Sequence, residues 1–152
     1  PIYDEFHRLV GYSSRKISPG KDMKYKHKPN LDKHRILYNL CNAKDYATKM
    51  PLMICEGFSD VWRAHQYGYP CVVAVMGDSL SIEQEKLALK YGYNFIIAFD
   101  NDESGRAGAI NAAKRLKHYA RVFLMLVPDQ QDIGSLTRKE FKECLRNARE
   151  VR

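Results

Sequence analysis

Two stretches of the chain carry acids where chemistry could use them. In "LMICEGFSDVW" (52–62) an apolar run passes straight into Glu56, then Gly57, with Asp60 three residues on. In "IIAFDNDESGRAGA" (96–109) a second apolar run ends in Asp100 and Asp102. A single aspartate at a strand end is ordinary, because it caps the helix that follows. A pair separated by one residue is less so, since a continuing strand turns both side chains to one side. Carboxylates held close together repel unless a proton or a cation relieves them. Mg²⁺ uses one or two carboxylates, waters and phosphate oxygens, so the pattern suits attack on a metal-bound phosphate by a hydroxyl or by water. Glu56 is then the candidate general base.

The elements needed to bring these acids together are legible downstream of residue 50. Apolar runs at 52–55, 71–76, 94–99 and 121–128 predict four strands. Helices are predicted over 59–68, from Ser81 to Tyr91, over 104–119 and from Thr137 to Arg149, with Gly68 and Gly92 as stops. Continuously apolar strands alternating with helices imply a parallel α/β sheet covered on both faces. Ligands of such sheets sit at the carboxyl ends of the strands. Glu56, Gly77, Asp100 and Asp129 each follow one strand and are expected on one edge.

The first 50 residues have a different character. They hold 11 Lys and Arg against 5 Asp and Glu, whereas residues 51–152 hold 14 against 13. Almost all of the net charge of +7 therefore precedes the first strongly apolar strand, which suits a polyanionic partner and equally a solvated basic face. Residues 8–17 alternate as a hairpin strand, 18–30 read as a basic loop, and 33–49 fit a strand-turn or a helix. A chain of 152 residues allows one domain with a small appendage. Its first residue, Pro1, suggests an excised piece of something longer. No apolar run approaches the roughly 18 residues of a membrane span, and no signal peptide is visible. Cys41, Cys55, Cys71 and Cys144 lack metal-ligand spacing, and Cys55 and Cys71, in apolar runs, read as small core residues of a reducing, intracellular protein.

On residues alone, receivers of response regulators and haloacid-dehalogenase-type phosphotransferases also place acids at strand ends. Receivers put a lysine after a later strand, and "LVPDQQD" (126–132) has none there; the Glu56–Gly57 turn is foreign to both. The combination "EGFSD", "MGDS", "FDNDESGRAG" instead resembles the TOPRIM domain of bacterial-type primases, topoisomerases, OLD-family nucleases and ribosomal RNA maturation nucleases. That resemblance spans about residues 51–136 and implies a compact TOPRIM-like parallel sheet of about four strands between helices. It implies Glu56 as general acid/base, Asp100 and Asp102 as Mg²⁺ (or Mn²⁺) ligands, Asp60 as a further acid of the site, and two ions.

"VGYSSRKI", "KYKHKPN" and "HRILYNL" are similar, in that order, to the segment preceding TOPRIM in bacterial and phage primases. On that resemblance residues 1–50 end a primase N-terminal subdomain, 51–136 form the TOPRIM domain and 137–152 a C-terminal helix. Arg15 and Lys24 match basic residues facing nucleotide or nucleic acid, and Asp132 in "VPDQQDIGSLTR" matches a metal-site acid. The implied reaction joins ribonucleoside triphosphates on a single-stranded DNA template, with a replicative helicase as partner in the intact protein, in a bacterial cytoplasm or a phage-infected cell. A TOPRIM nuclease, or a non-catalytic nucleic-acid-binding module, is the alternative.

The family pattern is broken in places. Gly134 stands where many primases have an acid or asparagine, which implies a looser second ion. Ser14 and Asn39 replace glycines, and the family's zinc-binding template-reading module, most of its upstream basic subdomain and its downstream helical region are expected outside this piece, so that the piece alone is expected to synthesise primers weakly or not at all. Among the remaining residues, Gly57, Gly77 and Gly105 are expected to permit tight turns or close approach, and Arg106 to face either phosphate or water. Trp62 and Tyr67 read as core packing, with Tyr12 and Tyr25 better placed to stack on bases. None of the five histidines is a confident ligand.

Overall fold

The computed structural model describes residues 1–16 and 25–152. Its center is a five-stranded sheet in the order β6 (Val72–Ala74), β5 (Leu52–Cys55), β7 (Asn94–Ile97), β8 (Arg121–Leu124), β9 (Arg149–Glu150). Strands β5, β6, β7 and β8 run parallel, and β9 closes the β8 edge antiparallel. Helices α2 (Phe58–Gln66), α3 (Ile82–Leu89) and α4 (Glu103–Leu116) make the crossovers, and α5 (Arg138–Arg146) leads into β9. All four residues of β5 and all three of β6 are buried, as strands covered on both faces must be.

Helix starts follow local chemistry. Ser81 accepts from the Gln84 amide while the Gln84 side chain accepts from Ser81 N, a reciprocal cap that starts α3. Thr137 and Glu140 repeat the device at α5. Gly68, at φ +90°, ends the helical segment in the left-handed region that favours glycine.

The sheet exceeds the expected four strands by one. β9 is two exposed polar residues with no apolar alternation to announce them, and it is fastened by Arg121 to Glu150 at 3.0 and 3.1 Å. Phe141 of α5 is 1% exposed within the same core as the parallel strands.

Ahead of the sheet, the expected single strand over 8–17 is two, β2 (Leu9–Gly11) and β3 (Ser13–Arg15), on either side of Tyr12. They pair with different partners: β2 with β1 (Ile2–Tyr3), and β3 with β4 (Tyr25–His27). The 33–49 segment is a 3₁₀ turn (Lys33–Arg35), an isolated bridge from Tyr38 to Ala74 and a short α1 (Leu40–Ala43). Asn39 takes φ 70°, which explains why a glycine suits this position, and its side-chain amide donates to Val72 O at 2.9 Å.

Gln84 fastens this strap to the sheet. Its amide group, 1% exposed, donates to the carbonyls of Lys33, Ile36 and Val75 at 2.9–3.0 Å. Gln84→Leu removes the donor for the Ile36 and Val75 carbonyls and leaves the Lys33 carbonyl only the Ile36 amide at 3.3 Å, and we expect it to cost about 2–4 kcal/mol in urea unfolding.

Candidate active site

The strand order places a reversal beside β5. The chain leaves β5 for β6 on one flank, then crosses back to β7 on the other. Open α/β sheets have their crevice at such a switch point, outside the carboxyl ends of the strands. Glu56 is the first residue past β5. Its Oε1 accepts from the Asp100 amide at 3.1 Å, on the β7 side, and its main-chain carbonyl accepts from Met76 N at 2.9 Å, on the β6 side. One residue thus ties three strand ends together.

Two adjoining clefts open on this rim. One, of about 390 Å³, is lined by Asp100, Asp102, Gln130, Gln131, Asp132 and Ser135. The other, of about 230 Å³, is lined by Glu56, Asp60, Asp100 and Asp132 together with His27, Phe58 and Met76. Asp100 and Asp132 border both, so acids distant in sequence share one edge.

The acids differ in how their oxygens are engaged. Asp102 caps α4: its Oδ1 accepts from Gly105 N at 2.8 Å and from Ser104 Oγ at 3.0 Å. Asp132 caps the 3₁₀ turn Ile133–Ser135, accepting from Ser135 N at 2.7 Å through Oδ1. Asp60, 3% exposed, spends both oxygens on backbone amides, Oδ2 on Gly57 N (2.8 Å) and Oδ1 on Gly134 N (2.9 Å). These two bonds join the Glu56–Gly57 turn to the loop after β8. Gly134 belongs to that link: a Cβ there would come within 3.0 Å of Ser59 Cβ.

Crowding shows in the electrostatics. Burial, then the Asp100 charge, pushes the Glu56 carboxyl up to about 8. Burial likewise raises Asp60 to about 7, against the pull of its two amide donors. Asp102 is held below the usual carboxylate range by its bonds to Gly105 and Ser104. Among the described residues no group of three or more His, Cys, Asp or Glu side chains is placed to hold a metal ion by itself. An ion that keeps most of its waters and binds substrate phosphates needs only one or two carboxylates, so the open acid rim fits Mg²⁺ or Mn²⁺ and not a structural metal.

A pH dependence follows. Glu56 and Asp60 bind protons more tightly in the fold than in the unfolded chain, so their protonation contributes stability at acid pH. That contribution disappears as pH rises from about 4 through 8. We expect the metal-free chain to melt at lower temperature at pH 8.5 than at pH 5.5, with millimolar Mg²⁺ restoring stability at the higher pH only. Differential scanning fluorimetry measures both.

Comparison with known proteins gives this rim a family. Residues 51–125 match the Toprim domain model. A DNA primase of Campylobacter jejuni is 37% identical over 117 residues, covering 74% of this chain and 19% of that protein. The Escherichia coli K12 DNA primase is 34% identical over 153 residues, covering 95% of this chain and 26% of the relative. A solved DnaG primase catalytic domain bound to single-stranded DNA superposes with a TM-score of 0.83 at 31% identity, over 99% of this chain and 51% of the other. The chain carries a Toprim domain of the bacterial DNA primase type. It spans about a fifth to a quarter of the curated relatives' length.

Within this Toprim domain the glycines sort unevenly. Gly105 is essential to the geometry: a Cβ would overlap the Asp100 carbonyl oxygen and stand 2.7 Å from Glu56 Oε1. Gly57, with φ −120°, has backbone that any residue adopts, and a Cβ would stand 3.3 Å from Asp60 Oδ2, so the expected obstruction is slight. Gly77 has no such constraint, its nearest neighbour for a Cβ being Lys33 Nζ at 3.5 Å. The strained residue of that turn is its neighbour Met76, at φ 60° and 5% exposed.

The basic residues also divide. Arg106 donates to the Asn101 carbonyl and side chain at 3.0 Å, bracing the loop that carries Asp100 and Asp102. Arg15 lies on β3, exposed, in a separate groove, and Lys24 lies outside the described residues. Sequence reading missed two site residues. Lys33 brings its ammonium to Met76 O at 3.1 Å, beside the cleft, with only a basic stretch to signal it. His27 lines the cleft with Glu56, in the "KYKHKPN" run where it reads as one more polar loop residue.

Proposed function

We propose that this chain is the Toprim-containing part of a primase catalytic core, which joins ribonucleoside triphosphates into short RNA primers on single-stranded DNA. The observation that carries the reading is the Glu56–Asp100 link at the strand switch point, with Asp102 and Asp132 on the same rim. Its support beyond geometry is the match to primases along nearly the whole chain, one of them solved with single-stranded DNA. In this reading residues 1–50 end the upstream subdomain, 51–136 form the catalytic domain and 137–152 its closing helix and edge strand. A replicative helicase is the partner of the intact protein in the cytoplasm.

Asp100, Asp102 and Asp132 hold Mg²⁺ or Mn²⁺, two ions in the working state. When bound, the ions supply positive charge to the triphosphate and relieve the crowded acids. The primer 3′-hydroxyl oxygen attacks the α-phosphorus of the incoming nucleotide; the new P–O bond forms as the bond to the bridging oxygen breaks, and pyrophosphate leaves. Glu56 takes the hydroxyl proton. Asp60, through Gly57, holds the turn that aims Glu56, and Lys33, Lys24 and Arg15 offset phosphate charge.

The test is primer synthesis on a single-stranded template with Mg²⁺ and all four ribonucleotides. Template-dependent RNA product supports the proposal. Cleavage of the template in the absence of nucleotides would make this a nuclease instead, and nucleic-acid binding indifferent to the metal and to Glu56 would make it a binding module.

A further inference from the structure

Trp62 is not the core residue that the sequence suggests. It stands on α2 with half of its surface exposed, one helical turn beyond Phe58, which lines the acid cleft. Its ring lies nearly parallel to Phe58, at 28° and 6.3 Å between centroids, and its indole N–H donates to the Tyr38 hydroxyl at 3.0 Å. Tyr38 in turn meets Phe58 edge-on at 4.7 Å. The indole plane is thereby fixed while one side of it stays accessible.

A groove of about 180 Å³ runs between these rings and β3, lined by Ser13, Arg15, Tyr38, Phe58 and Trp62. The Ser13 hydroxyl is buried with no hydrogen-bond partner among the described residues. Arg15, exposed, brings a guanidinium to the groove, while Lys26, paired with Ser14, lies on the other face of the strand pair. Phe58 belongs to both this groove and the acid cleft, so an occupant of one is a neighbour of the other.

We propose that this groove holds one unpaired base of the nucleic-acid strand, stacked on Trp62, with a flanking phosphate at Arg15. Stacking on an aromatic ring beside a cationic track is how single strands are held without sequence readout. A groove of about 180 Å³ between aromatic rings and one arginine matches the size and chemistry of a single base with its phosphate. The inference rests on the nucleic-acid function proposed above and adds a site to it.

Trp62 is the chain's one tryptophan, so its fluorescence reports this site alone. Binding of a dye-labelled oligothymidylate is followed by anisotropy, and Trp62 emission is followed in parallel. We expect the oligonucleotide to quench Trp62, while an abasic strand of equal length and charge binds more weakly and quenches little. Trp62→Ala should weaken binding by about 5- to 150-fold in a chain that still melts cooperatively, its midpoint lowered by the lost Tyr38 bond and Phe58 packing, and Trp62→Phe should recover most of the binding.

Unchanged affinity in Trp62→Ala, or equal quenching by the abasic strand, overturns the site while primer synthesis stands. Full quenching by a ribonucleoside triphosphate alone reassigns the groove to the incoming nucleotide and overturns the strand assignment. Absence of any anisotropy change with the unaltered chain overturns both this site and the function beneath it.

Discussion

Glu56→Gln is expected to lower primer synthesis by about 10²–10⁴-fold, the range for loss of a general base, while raising the melting temperature of the metal-free chain at pH 8. The two effects separate because they have different origins. Glutamine keeps an oxygen for the Asp100 amide, so the link between β5 and β7 survives. What disappears is a carboxyl whose ionisation is opposed by burial and by Asp100. A residue that merely holds the turn would lose stability with activity. Steady-state synthesis and thermal melting of the same preparation distinguish the two cases, and retained activity removes Glu56 from the chemistry.

Gly105→Ala should be the most damaging single-methyl change in the site. Alanine is the better helix former by about 1 kcal/mol, so propensity alone predicts stabilisation. Against this, the new Cβ would overlap the Asp100 carbonyl oxygen and approach Glu56 Oε1 to 2.7 Å, and the nearer of these is backbone that cannot swing aside. Either α4 moves out or the loop at Asp100 moves away. We expect a net loss of about 1–3 kcal/mol and at least a 100-fold fall in synthesis. Gly77→Ala serves as the control. Its nearest obstacle is the flexible end of Lys33, so both stability and synthesis should change little.

The contrast between these glycines marks the limit of what the residues reveal unaided. The parallel strands were legible because buried strands are apolar at every position, as β5 and β6 are. The acids were legible because they follow such runs directly, and a rim shared by Glu56 and Asp100 needs only the topology. Strand β9 was not, because two solvent-facing residues leave no pattern. The link made by Asp60 was hidden for a different reason: one of its two amide partners lies 74 residues away, a distance that no local spacing records. Met76 carries the strain where the sequence points to Gly77, since nothing in "VMGDS" says which residue turns left-handed. Trp62 was misplaced because a helical spacing of aromatics describes a stripe without saying what covers it, and here nearly half of the ring is left uncovered.

The acid rim as a shared cation site is decided most directly by a crystal soaked with Mn²⁺ and a ribonucleoside triphosphate. Anomalous density beside the carboxylates of Asp100 and Asp102, with triphosphate oxygens completing the coordination, is the predicted result. A clean rim at saturating Mn²⁺, with the nucleotide bound elsewhere or not at all, would contradict it.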